Sequence, residues 1–371
     1  MDILWYIPTH GDGRYLASTD QARPTSLEYL TSVAQAAEQL GYSGALIPVG
    51  RNCEDPWVVA GALVARTNHL KFLIAQRSAG ISATAAARLA ATLDRLSGGR
   101  IAINAVTGAD PKELAGDGVY LDHDDRYVLT DEFLEVWRQV LRGESATFHG
   151  KHVHVDDANV VFQPLSQPHP AVFFSGSSEP ALEVAAKHAD VYLTFGEPLL
   201  QVKEKIDRLK EKADRHGRKV RVGVRLHVIA RETEEEAWTE ASRLISKVSP
   251  EDISKAQKKL QSLESEGQAR MSSLHNGDPS KLIIAPNLWA GIGLVRGNAG
   301  TALVGSGASI AERMREYVAL GVDTFVLSGY PHLEEAYYFA EQVFPHLGFG
   351  HQHSAWGEVL AFHEHRRART A

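Results

Sequence analysis

Cysteine is almost missing from this chain: Cys53 is the only one in 371 residues. No disulfide can form within it, and a reducing compartment is the natural setting. Long apolar runs are missing too; none approaches the roughly 20 residues that span a bilayer. Basic residues are outnumbered, 39 Lys and Arg against 46 Asp and Glu, for a formal charge of -7. That balance argues against a nucleic-acid or anionic-membrane surface. Nor does a basic region with a cleavage site open the chain, which enters a strand-like run at Ile3. No signal peptide is expected, and the expected location is cytoplasmic.

What is present is a large apolar core in the making. One stretch organises it: Val220 to Ala230. With the period of two of a strand, Val222, Val224, Leu226 and Val228 share one face, and Gly223, Arg225 and His227 share the other. A buried guanidinium is costly without an anion. Its partner is either a carboxylate in the core or a ligand arriving at the mouth of a barrel.

A phrase repeats along the chain: an amphipathic helix, a glycine or alanine stop, then a compact apolar strand. Gln39 to Pro48, His188 to Gly196 and Ala319 to Gly329 are three cases. Filling the gaps predicts strands at 3–8, 44–48, 70–75, 101–106, 171–174, 190–194, 221–229 and 323–327. Helices are expected at 26–40, 56–68, 82–96, 127–142, 178–188, 199–216, 233–247, 308–320 and 331–345. Eight βα units make a closed (β/α)8 TIM barrel, here one domain over residues 1–347. A Rossmann-like sheet lacks its fingerprint, because Gly291-Ile-Gly293-Leu-Val-Arg296 has arginine at the third glycine. Two insertions are expected. Residues 143–168 alternate like a hairpin. Residues 249–307 begin as charged helix and become a glycine-rich loop from Asn287 to Gly307, which suggests a lid. A tail, 348–371, has no core pattern.

Active sites of such barrels lie at the C-terminal ends of the strands. Polar groups follow nearly every strand: His10 and Asp12, Arg51 to Asp55, Gln76 and Arg77, Thr107, Glu197, and Tyr330 with His332. Cys53, before a helix, is either thiolate-prone through the helix dipole or a small packed side chain. Arg77 suits a structural ion pair with Glu54 or Asp55. The pairs His152/His154, His351/His353 and His363/His365 have no metal-site pattern around them, and no metal site is expected. Gly176-Ser177-Ser178, opening a helix, suits either a phosphate or an ordinary cap.

Several blocks carry a family resemblance. Pro8-Thr-His-Gly-Asp-Gly13, Gly50-Arg-Asn-Cys-Glu-Asp55, Ala91-Thr-Leu-Asp-Arg-Leu-Ser97, Glu113-Leu-Ala-Gly-Asp-Gly118, Arg225-Leu-His227, Pro286-Asn-Leu-Trp-Ala-Gly291, Leu294-Val-Arg-Gly297 and Leu327 to Ala336 are similar to the FMNH2-dependent alkanesulfonate monooxygenases. These and the methanesulfonate monooxygenases belong to the bacterial-luciferase-like flavin barrels. The resemblance spans about residues 2–347. It implies a two-component system in which a separate NAD(P)H-dependent FMN reductase supplies FMNH2. The monooxygenase then uses O2 to turn an organosulfonate into an aldehyde and sulfite. It also implies roles around flavin and sulfonate for Arg225, His227, Tyr330, His332, His10, Cys53 and Arg296. Thr107, Tyr127, Ser177 and Ser178 match flavin-binding positions, and Ala75-Gln76 matches a non-proline cis peptide of the wider superfamily. A homo-oligomer, dimer or tetramer, is implied as well. Departures are Gln76, Phe195, Ser175 and Asn52, where the family usually has other residues; Gln76 and Phe195 leave the sulfonate chain length open. A deazaflavin-dependent oxidoreductase and a non-catalytic anion-binding protein are the competing readings.

Overall fold

The computed structural model describes residues 1–348; the histidine pairs at 351–365 lie outside them. In chain order the strands are β1 (Asp2–Tyr6), β2 (Gly44–Ile47), β3 (Lys71–Arg77), β4 (Ile101–Val106), β5 (Ala146–His149), β6 (His154–Ala158), β7 (Ala171–Ser175), β8 (Val191–Phe195), β9 (Arg221–Arg231), β10 (Ile283–Ala285), β11 (Leu288–Trp289), β12 (Ala302–Ser306) and β13 (Val322–Ser328). The helices are α1 (Leu27–Leu40), α2 (Pro56–Val64), α3 (Ala83–Ser97), α4 (Pro111–Gly116), α5 (His123–Leu141), α6 (Glu179–His188), α7 (Leu199–Arg215), α8 (Glu234–Leu244), α9 (Pro250–Gln261), α10 (Glu266–Ser273), α11 (Gly307–Ala319), α12 (His332–Gln342) and α13 (Phe344–Leu347).

Eight parallel strands, β1, β2, β3, β4, β7, β8, β9 and β13, close into a barrel, with β9 pairing both β8 and β13. Apolar side chains alternate between two environments. Val222, Val224, Leu226 and Val228 pack outward in the core shared with the helices. Leu4, Leu46, Leu73, Phe173, Leu193 and Val326 form a separate cluster inside the barrel. Gly223 lets that plug close: a Cβ there would meet Leu193 Cδ2 at 2.5 Å.

The hairpin expected in 143–168 is present as the antiparallel pair β5 and β6. The second insertion differs from expectation. Asn287 to Gly307 is not one long loop, because it holds β11, a 3-10 turn at Gly291–Leu294 and β12. The reason is the length of β9. Its last residues, His227 to Arg231, overshoot the contact with β8, and β12 pairs in parallel with that free edge. An unpaired strand edge is thereby satisfied. The fold also adds α4 beside β4, starts α5 earlier than the pattern suggested, and ends α2 at Val64.

Candidate active site

The site occupies the C-terminal mouth of the barrel. An inner cavity of about 210 Å³ is lined by Tyr6, His10, Ala75, Asn104, Arg225, His227, Arg296, Tyr330 and His332. It runs into a flanking cavity of about 360 Å³ that holds Thr107, Tyr127 and Ser177. The two share Val106, Ser175, Leu193, Thr194 and Phe195. On the other side, His10, Arg296 and Tyr330 separate the inner cavity from an outer cleft of about 1140 Å³.

Arg225 points from β9 into the inner cavity. Its guanidinium donates to the Leu226 carbonyl at 3.0 Å, the Val326 carbonyl at 3.3 Å and Ser328 Oγ at 2.9 Å, and lies 4.7 Å over the Tyr6 ring. No carboxylate stands within ion-pair distance of it among the described residues. Burial pulls its pKa down to about 10. Of the two partners open at the sequence level, the core carboxylate is therefore excluded. Arg296 faces the same space, donating to Tyr330 Oη and, at 2.7 Å, to His10 Nε2. His10 is consequently an acceptor, and burial with the adjacent Arg296 charge lowers its pKa to about 3.

The other two histidines are held differently. His227 has both ring nitrogens committed: Nδ1 accepts from Ser328 Oγ at 2.7 Å, and Nε2 donates to the Ala299 carbonyl at 3.0 Å. Burial, then Arg225 and Arg296, keep it neutral, well below the ordinary histidine pKa. Arg225, Ser328 and His227 thus form one donor chain, fixing the tautomer. His332 is fully buried, with Nδ1 2.8 Å from Asp12 Oδ1. Its Nε2 is buried without a partner. Asp12 also accepts from the His332 backbone N–H at 2.7 Å, the Gly13 N–H at 2.8 Å and Tyr29 Oη. Burial works to raise the Asp12 pKa, but His332 and these hydrogen bonds prevail and hold it at about 2. An ionised Asp12 places the imidazole proton on Nδ1 and leaves Nε2, on a residue that lines the cavity, without a partner among the described residues.

Ser177 and Ser178 are buried where α6 begins, and Ser178 Oγ makes no cap bond and has no partner among the described residues. Gly176 adopts φ +151°, and a Cβ there would lie 2.5 Å from Ala181 Cβ and 3.4 Å from Tyr127 Oη. A free helix N-terminus, two hydroxyls and a backbone that can be closely approached make a phosphate cradle. Asn104 Oδ1, inside the cavity, is a third buried polar atom without a partner. A phosphate at one end and a polar ring edge at the other match these open groups, so the residues fit FMN.

Other sequence-level expectations need correcting. Cys53 is not thiolate-prone. Burial raises its pKa, and the Asp55 side chain accepts from the Trp57 and Val58 N–H groups in the first turn of α2, so of its two readings the packed one is favoured. Cys53 does not line the inner cavity. Arg77 pairs with Glu113 and Asp117 of the α4 segment, not with Glu54 or Asp55. Gln76 turns outward, accepting from Trp57 Nε1 at 2.7 Å. The Ala75–Gln76 peptide is not cis: the cis bonds among the described residues are Gln167–Pro168 and Tyr330–Pro331. Here β3 keeps its ladder with β4 straight through Ala75, Gln76 and Arg77. Among the described residues no group of three or more His, Cys, Asp or Glu could hold a metal ion.

Sequence reasoning missed Asn104 and the histidine-positioning role of Asp12. It also missed the anchoring of the second insertion. Arg270 on α10 reaches buried Glu197 at 2.9 Å, and Lys205 meets the same carboxylate at 2.9 Å. Thr301 donates to the Gly196 carbonyl at 2.6 Å, so the segment bearing Arg296 is tied to the end of β8.

Solved structures share this architecture. A long-chain alkane monooxygenase, LadA, is 22% identical with a TM-score of 0.79, covering 97% of this chain and 95% of that one. EDTA monooxygenase, EmoA, from Chelativorans sp. BNC1 is 20% identical with a TM-score of 0.77, covering 97% and 98%. Riboflavin lyase, RcaE, solved with modified FMN and riboflavin, is 22% identical with a TM-score of 0.77, covering 93% and 90%. At these identities the likeness is one of fold. The sequence itself matches the model of the luciferase-like monooxygenases over residues 1–324. A closed barrel with this mouth, matched along most of its length, belongs to the luciferase-like monooxygenase family.

Proposed function

We propose that the protein is an FMNH2-dependent monooxygenase that desulfonates organosulfonates of the alkanesulfonate class. The observation that carries this reading is the pair Arg225 and Arg296, two guanidinium groups on one cavity with no carboxylate within ion-pair distance among the described residues. A sulfonate is a permanent anion whose oxygens suit the guanidinium fork.

Reduced FMN, supplied by a separate NAD(P)H-dependent reductase, would provide the electrons that activate O2. Ser177, Ser178 and the α6 N-terminus would hold its phosphate, with Thr107, Tyr127 and Ala75 along its length. In the net reaction a sulfonate, O2 and FMNH2 give aldehyde, sulfite, water, FMN and one proton. Arg225 and Arg296 bind and orient the sulfonate. As the 1-hydroxysulfonate collapses, its hydroxyl proton must leave while the carbon–sulfur bond breaks. His332 Nε2 is the base this geometry leaves open for it, since His227 has no free nitrogen and His10 is held by Arg296. His227 acts through Ser328 to hold Arg225, and Tyr330 carries Arg296. We assign Arg296 to a lid that completes the anion site and excludes water after the substrate enters.

The test is sulfite release with FMNH2, O2 and a panel of sulfonates from methanesulfonate upward. Sulfite in step with FMNH2 consumption is expected. Hydride transfer with deazaflavin and no sulfite would move the protein to the oxidoreductase alternative.

A further inference from the structure

The outer cleft combines an apolar wall with cationic side chains. It lies between the Gly11–Thr25 segment and α9, and opens on Arg296 and Tyr330. Its walls are mostly apolar, with Tyr15, Leu16, Pro24 and Val295, and Ser18, Thr19, Thr25, Lys255 and Lys259 bring polar groups to them. Laying a hydrocarbon tail over those groups would strip their water without replacing its hydrogen bonds.

The charge in the cleft is uneven. Its acids are Asp12, hydrogen-bonded to His332 and Tyr29, and Asp252, which caps α9 through Ser249 and stays ionised in the field of Lys255. Arg23 is paired with Glu334. Lys255 and Lys259 are one helical turn apart, hence on one face of α9, and neither has a carboxylate within ion-pair distance among the described residues. A chain of net charge -7 thus presents a cleft in which Lys255, Lys259 and Arg296 outnumber Asp12 and Asp252, with Arg225 in the inner cavity behind Arg296. Low-dielectric walls focus such a field.

We infer that the substrate is a bipolar anion: a sulfonate at Arg225 and Arg296, a short spacer, and a second anionic group, carboxylate or sulfonate, at Lys255 and Lys259. This rests on the sulfonate reading above and narrows its substrate class from alkyl tails to chains that end in charge.

Binding and turnover are compared for pairs matched in carbon number, butanesulfonate with 4-sulfobutanoate and hexanesulfonate with 6-sulfohexanoate, in the full-length enzyme. Two partly exposed ion pairs are together worth about a factor of ten, so at least one sulfocarboxylate should bind about tenfold more tightly than its partner. Higher salt should shrink that preference. In the Lys255→Gln, Lys259→Gln double variant the ratio should fall toward one. Equal or tighter binding of the alkyl compounds would overturn the inference. So would a preference that survives in the double variant, or weakened FMN binding there with the ratio intact, which would assign the lysines to the cofactor. Calorimetric binding decides this even if neither compound yields sulfite, an outcome that would count against the desulfonation reading alone.

Discussion

Replacing Asp12 with asparagine removes one negative charge from a site where four hydrogen bonds converge on the carboxylate. Its pKa stands at about 2 in the folded protein, against an ordinary 3.8. At 1.36 kcal/mol per unit, that difference amounts to about 2 kcal/mol favouring the folded state. The pH window follows from the sign. Above 3.8 the carboxylate is ionised in both states and the stabilisation is complete. Between 3.8 and about 2 the unfolded chain takes up the proton while the folded one resists, so the contribution is lost as pH falls through that interval. Asp12→Asn should therefore be less stable by about 2 kcal/mol in urea titrations from pH 7 down to pH 5, with unchanged m-value, and the gap should narrow below pH 4. The same variant should disturb the His332 tautomer, seen in its ring nitrogen shifts. A gap that does not vary with pH, or a variant as stable as the parent, would refute the reasoning.

Other outcomes follow from the same geometry. Arg225→Lys keeps the charge but loses the fork held by Ser328 and two carbonyls, so sulfonate affinity should fall by about tenfold or more in calorimetry. In the parent protein, sulfonate affinity should stay level from pH 6 to pH 9 in calorimetry, because burial lowers the Arg225 pKa only to about 10 and the guanidinium stays charged throughout. Gly176→Ala forces a side chain onto Ala181 at a backbone angle only glycine takes easily, so FMN affinity should drop sharply in fluorescence titrations. Cys53 should react with iodoacetamide more slowly at neutral pH than a free thiol, since burial raises its pKa.

The barrel was legible because its signals are local. A helix stop at Gly41 or Gly98 and a doubly covered apolar strand can be recognised within a dozen residues. The strand β12 was not, because Ala302 to Ser306 sits in a glycine-rich setting without a helix stop ahead of it. What makes it a strand is the overhanging end of β9, more than 70 positions away. The polar face of β9 was legible from its period, but the carbonyls of Leu226 and Val326 and the Ser328 hydroxyl that meet Arg225 were not, because two of them lie about a hundred positions away. The division of labour among the histidines was not. Whether a histidine keeps a free nitrogen depends on contacts such as Asp12 with His332, 320 positions apart, and Ala299 with His227. Cys53 stayed open in the sequence because its place before a helix suits both a dipole-activated thiol and a packed one; burial and the Asp55 cap favour the second.

The central claim is that Arg225 and Arg296 together hold a sulfonate that the enzyme cleaves. The direct measurement is sulfite yield per FMNH2 in air, for the parent protein and for Arg225→Ala and Arg296→Ala, alongside FMN binding. Sulfite from the parent, loss of it in both variants, and retained FMN binding are predicted. Undiminished sulfite from either variant, or none from the parent with any sulfonate, would contradict the account.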